Sequence, residues 1–160
     1  MDKKERDIKI THLKCREIQA PIVSSLIKAF VDKIGYDKAM EIVKQVVRED
    51  AILSGRTLAD KYGGNTLREL SKIVSEVWAN DEALKIKIIK EDKDELYFNV
   101  VSCKYAHMYE RLRIKELGCL LSCSRDFSFM EGFNLEIELI RTRTIMDGSE
   151  CCDFRYVKKV

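Results

Sequence analysis

No stretch of this 160-residue chain approaches the roughly 18 consecutive apolar residues of a membrane-spanning helix. The N-terminal MDKKERDIKI is charged and lacks the apolar run of a secretory signal, so the expected compartment is the cytoplasm. Neither sign of charge dominates: 29 Lys and Arg stand against 27 Asp and Glu. That balance gives no electrostatic footprint for nucleic acid or a membrane surface, and neither is expected as a partner. Aromatic residues are not interleaved with basic clusters, which removes the single-strand binding groove as well. The six cysteines, at 15, 103, 119, 123, 151 and 152, form no CxxC…CxxC pattern. In a reducing compartment a disulfide framework is not expected from them. No linker, repeat or low-complexity segment divides the chain, so residues 1–160 read as one domain.

What is present is a change of period. Ile22, Val23, Leu26, Ile27, Phe30, Val31 and Ile34 recur at helical spacing, and Gly35 suits a left-handed C-terminal cap. Pro21 is tolerated if it opens that helix and should kink it if the helix already begins near Thr11. A second helix carries Ala39, Ile42, Val43, Val46 and Val47 on one face and is expected to stop near Ser54–Gly55, with a short helical segment at 57–62 before Gly63–Gly64. Thr66 and Glu69 have the spacing of a capping box, and Leu70, Ile73, Val74, Val77 and Trp78 give the helix it starts a buried side. The helical part thus spans about 11–80.

From Leu84 the period falls to two. Residues 84–103 read as a hairpin about a polar turn at Glu91–Glu95, and Tyr105–Leu121 as a helix interrupted around Gly118. Leu135–Ile145 reads as a third strand, Asp147–Gly148 as a hairpin turn, and Cys151–Val157 as the returning strand. The sheet-containing part covers about 84–158. The expected class is α+β: N-terminal helices, then β-β-α-β-β, with an antiparallel sheet of about four strands and helices on one face.

Reactive side chains concentrate in VSCKYAHMY (101–109), LLSCSRDF (120–127), LIRTRTIMDG (139–148) and CCDFRY (151–156). Strand alternation puts Arg141 and Arg143 on one face and Thr142 and Thr144 on the other. Two guanidiniums at i and i+2 either meet solvent and acidic neighbours or form a planar two-point clamp for a carboxylate. Cys123 has Arg125 and Asp126 beside it, and a nearby cation lowers a thiol pKa. Cys103 and His107 are four apart, near one face of the central helix. Cys151 and Cys152 must point to opposite sides of their strand. Cys15 reads as a packed thiol and His12 as a solvent-facing side chain.

These stretches resemble the L-2-amino-thiazoline-4-carboxylic acid hydrolases. The family features are a C-[KR]-Y-A stretch (Cys103–Ala106 here), L-x-S-C-x-R-D (Leu120–Asp126), R-T-x-T-I-M-x-G (Arg141–Gly148) and C-D-F-R-Y (Cys152–Tyr156), all in order. GGNTLRELSK (63–72) extends the likeness over most of the chain. One departure stands out: His107 follows the first motif where the family carries an acidic residue.

The resemblance implies hydrolytic opening of a cyclic amidine, L-2-amino-thiazoline-4-carboxylate, to N-carbamoyl-L-cysteine, with no cofactor. It implies catalytic roles for Cys123, Asp126 and Cys152. Asp126 would pair with the amidine nitrogen and orient or deprotonate water, and Cys123 or Cys152 would form a thio-adduct if the reaction were covalent. Arg141 or Arg143 would hold the substrate carboxylate, Thr142 or Thr144 would contribute if the cleft lay on their face, and Cys103 and His107 complete the expected binding set. The competing expectation is a small-molecule sensor resembling the vinyl-reductase-like domains, without catalysis and with zinc held by Cys119, Cys123, Cys151, Cys152 and Asp126. Arginines beside such a cluster disfavour a divalent ion. A homodimer is compatible with base rates.

Overall fold

The computed structural model describes residues 10–160; the charged segment 1–9, on which the absence of a signal was read, lies outside the described residues. Two long helices come first, α1 (His12–Ile34) and α2 (Tyr36–Tyr62). Thr11 caps α1 by accepting from the Lys14 N–H, so the helix starts a full two turns before Pro21 and carries that proline inside it. Gly35, at φ 84°, makes the turn into α2.

The second helix does not stop at Gly55. It runs on to Gly63, whose φ of 72° supplies the left-handed cap, and so absorbs the short segment expected at 57–62. Gly55 is a contact residue instead. A Cβ there would lie 2.8 Å from the Phe133 backbone nitrogen, and one on Gly132 would sit 3.0 Å from the Ile52 Cα and overlap the Ile52 carbonyl. The two glycines let α2 and a later helix, α5 (Arg125–Phe133), meet backbone to backbone.

Between them, α3 (Leu67–Ile73) opens on the capping box: the Thr66 N–H donates to the Glu69 carboxylate and the Thr66 hydroxyl accepts from the Arg68 N–H. It widens into a π-turn over Val74–Trp78, and Asp81 at φ 57° ends the helical half.

The sheet follows the expected class, α+β with N-terminal helices before four antiparallel strands. They are β1 (Leu84–Glu91), β2 (Glu95–Cys103), β3 (Ile137–Ile140) and β4 (Cys152–Lys158), in the order β1-β2-β4-β3. Register places Phe98 opposite Phe154 and Leu96 opposite Tyr156. The Phe98 and Phe154 rings stack at 4.9 Å. Leu96, Phe98, Val100, Phe154, Tyr156, Ile137 and Leu139 form the buried face, and the helices cover it in a single apolar cluster.

Two expectations fail in ways that shape the site. The central helix α4 (Lys104–Arg111) ends early, at Arg113 with φ 58°. A 3-10 turn and a π-turn (Cys119–Cys123) then lead into α5, which was not anticipated. Its signal was legible, since Phe129, Met130 and Phe133 are spaced for one helical face and are all buried. Gly118 is not a helix break but a seat for Met146, whose sulfur fills the space a Cβ would occupy.

The third strand also stops five residues short of Ile145. After Ile140 the Asp153 carboxylate accepts from the Thr142 and Arg143 N–H groups at 3.0 and 2.7 Å, replacing the ladder. Residues 141–151 therefore form a loop with a turn at Asp147–Gly148, not a tight hairpin.

The α2–α5 contact predicts that Gly132→Ala, which forces two backbones apart, destabilises the protein by about 2–3 kcal/mol. Urea denaturation against the wild type checks this.

Candidate functional site

Helices α1, α2 and α5, the π-turns at 74–78 and 119–123, and the buried sheet face surround a cavity of about 380 Å³. Its walls are mostly apolar, with Trp78 and Phe129 packed edge to face at 5.0 Å. Into it project Cys103 from the end of β2, Ser122 and Cys123 from the π-turn, Asp126 from α5, Arg141 from the end of β3 and Cys152 from β4.

Arg141 joins these pieces. Its alternation continues that of Ile137 and Leu139, so the guanidinium turns inward and keeps only 6% of its side-chain surface. One nitrogen bonds the Asp126 carboxylate and another donates to the Cys123 carbonyl at 2.9 Å. Its guanidinium carbon lies 5.0 Å from the centroids of both the Phe127 and Phe154 rings. Burial raises the Asp126 carboxyl above the usual carboxylate range, and the Arg141 charge opposes that rise. Only one carboxylate oxygen, Oδ2, is engaged; Oδ1 has no partner among the described residues. The side chain retains 22% of its surface, as fits a deep group that faces a hollow.

The thiols are not activated in the expected way. Burial, then the Asp126 charge, pushes Cys123 far above the ordinary thiol range, and Arg141 only partly opposes this. Arg125, expected to lower it, pairs instead with Asp50 at 2.5 Å. Cys152 is raised by burial to about 11 even though its sulfur accepts the Ile145 N–H at 3.2 Å. Cys103 is raised as well, again by burial, while its sulfur caps α4 by accepting from the Ala106 N–H. All three are thiols at neutral pH.

The other expected residues separate. Arg143 is exposed and 4.0 Å from Asp153, so it is not half of a clamp with Arg141. The Thr142 hydroxyl also bonds Asp153, at 2.6 Å, outside the cavity. Thr144 is buried but donates to Asp147 within the turn. His107 is exposed on the far side of α4, beside Lys104 and Arg111, because Cys103 precedes the helix and does not share its face.

Cys119 donates to Asp147 at 2.8 Å, apart from Cys123's role in the wall. Among the described residues no three His, Cys, Asp or Glu side chains are grouped to hold a metal ion. Cys15, expected to be packed, is exposed.

Two residues of α1 were missed. His12, read as solvent-facing, lines the cavity, and so does Arg16 one turn later. The Tyr105 hydroxyl has a single proton, which it donates to the Trp78 carbonyl at 3.0 Å. The 2.9 Å contact between Tyr105 and His12 Nδ1 therefore makes Nδ1 the donor and leaves Nε2 bare. Burial, with help from Arg16 and Arg125, lowers His12 to about 4, so the ring is neutral at physiological pH. Their four-residue spacing on a helix was legible; that this face closes a cavity against the C-terminal half was not.

Comparison with known proteins gives three findings. The sequence model of the L-2-amino-thiazoline-4-carboxylic acid hydrolase family matches residues 15–156. No curated protein sequence matches the chain. Among solved structures, a trafficking protein particle complex subunit 3 from Naegleria fowleri, covalently bound to palmitic acid, is similar at TM-score 0.53 with 10% identity, over 91% of this chain and 96% of that one. The phenol-responsive sensory domain of the transcription activator PoxR, with phenol, is similar at TM-score 0.52 with 9% identity, over 94% and 76%. At such identities the likeness is one of fold.

The protonated, enclosed state of the cavity thiols predicts their alkylation pattern. At pH 8 a thiol near 11 is about one part in a thousand thiolate. Brief iodoacetamide treatment should label exposed Cys15 at least tenfold faster than Cys123 or Cys152, read by peptide mass mapping.

Proposed function

The chain belongs to the L-2-amino-thiazoline-4-carboxylic acid hydrolase family, and from that premise we propose that its cavity hydrolyses a small cyclic amidine carrying a carboxylate. The observation that carries the reading is the convergence of the family motifs on one hollow: Cys103, Ser122, Cys123, Asp126, Arg141 and Cys152 all line it.

The chemistry follows from what each group has to offer. The Arg141 charge is paired with Asp126 and a second nitrogen is held by the Cys123 carbonyl, so its first role is to fix the carboxylate. The unengaged Oδ1 of Asp126 is the acceptor for an amidine N–H, and a cationic amidinium offsets the cost of burying that carboxylate. In the same position Oδ1 orients water toward the amidine carbon and takes its proton as attack proceeds. The C–O bond forms and the ring C–S bond breaks, the sulfur leaves as the thiol with the proton taken from water, and both amidine nitrogens stay on the carbon as the urea group of N-carbamoyl-L-cysteine. Because Cys123 and Cys152 are protonated at neutral pH, direct attack by water fits the site better than a thio-adduct.

A second reading is binding without turnover. It is favoured by the same unactivated thiols and by the apolar walls, and the similar sensory domain is described with phenol. A sensor of this kind would retain an aromatic guest and convert nothing.

Incubation with L-2-amino-thiazoline-4-carboxylate, following free thiol and the carbamoyl product, separates the two. Hydrolysis requires ionised Asp126, so turnover should rise with pH through an apparent pKa above the ordinary carboxylate range. Asp126→Asn should lower kcat about a hundredfold or more, while Cys123→Ser keeps most of it. Absence of turnover in the folded wild type, with phenol retained, would support the sensor instead.

A further inference from the structure

Four ionised side chains line the cavity: Arg16, Arg125, Arg141 and Asp126. Arg141 is cancelled by Asp126, and Arg125 by Asp50 just beyond the wall. Arg16 is left over. Among the described residues its guanidinium makes no ion pair and no hydrogen bond, although it is partly buried. His12, its neighbour one turn earlier, is neutral and adds no charge of either sign. Burial lowers the Arg16 pKa, and so does the Arg125 charge, which marks a cation held where its charged form is not well compensated. A half-buried guanidinium without a counter-charge is poorly compensated unless something else supplies the anion.

We infer that Arg16 is the carboxylate anchor of this cavity, so that its ligands are small organic acids whose apolar body lies against Trp78 and Phe129. The inference rests on the cavity being the ligand site but not on the hydrolysis. It moves the carboxylate-binding role from the C-terminal arginines to α1. Arg141 already has Asp126 as its counter-charge, and Arg143 lies outside, beside Asp153. The arrangement also gives the cavity two poles, a cationic one at α1 and an anionic one at Asp126 Oδ1. A zwitterionic heterocycle is the ligand class that satisfies both.

The test uses two unreactive probes of equal shape, thiazole-4-carboxylate and thiazole-4-carboxamide, titrated calorimetrically into the wild type, Arg16→Gln and Arg16→Lys. The wild type should bind the carboxylate on the order of tenfold to a hundredfold tighter than the amide. Arg16→Gln should bind both alike, with a thermal midpoint equal to or above that of the wild type, since an uncompensated cation has been removed. Arg16→Lys should recover part of the preference.

No preference in the wild type, or binding of neither probe, overturns the inference. So does a preference that survives Arg16→Gln, or a marked loss of stability in that variant, which would mean that Arg16 is partnered within the protein. Carboxylate preference without turnover of the aminothiazoline would sink the hydrolase reading alone. Turnover without preference would sink this one alone.

Discussion

The ion pair between Arg141 and Asp126 holds the C-terminal half of this protein in shape. It joins the end of β3 to the start of α5, and through the Cys123 carbonyl it also ties down the π-turn that precedes α5. Those elements carry two of the four reactive stretches, 120–127 and 139–148, so the same contact that closes the fold gathers the site. A guanidinium with 6% of its surface left is costly to bury, and here the cost is met by a carboxylate, a carbonyl and two aromatic faces. Replacing both members of the pair by packed apolar residues would be compatible with stability; keeping them fixes the carboxylate's second oxygen toward the hollow.

That geometry divides labour among side chains the sequence could not tell apart. Arg141 and Arg143 looked equivalent, as did Thr142 and Thr144. What separated them was Asp153, whose carboxylate takes the backbone N–H groups of residues 142 and 143 and ends the strand early. Alternation stops where the ladder stops, so only Arg141 keeps its inward direction. The electrostatics of Cys123 were misread for a similar reason. Arg125 is its neighbour in sequence, but helical geometry sends that cation to Asp50 on α2, and the charge nearest the sulfur in effect is the negative one on Asp126.

The fold was more legible than the site. The shift of period from about four to two at Leu84, the Thr66–Glu69 box and the Gly63 cap all operate through neighbours in sequence, and all appear where their chemistry requires them. Gly55 and Gly118 depend on partners 77 and 28 residues away, at Gly132–Phe133 and Met146, so their role as contact points was invisible locally. The same is true of His12 and Arg16. Nothing in α1 alone says that it closes a cavity whose other walls are built from residues 51–154.

The account depends on Asp126 and Arg141 acting as one unit. A double-mutant cycle measures that directly: urea denaturation of the wild type, Asp126→Asn, Arg141→Gln and the double variant. A coupling energy of about 2 kcal/mol or more is predicted, with the double variant no less stable than the worse single one. A coupling near zero would mean that the two side chains do not meet as described, and the site built around them would fall with it.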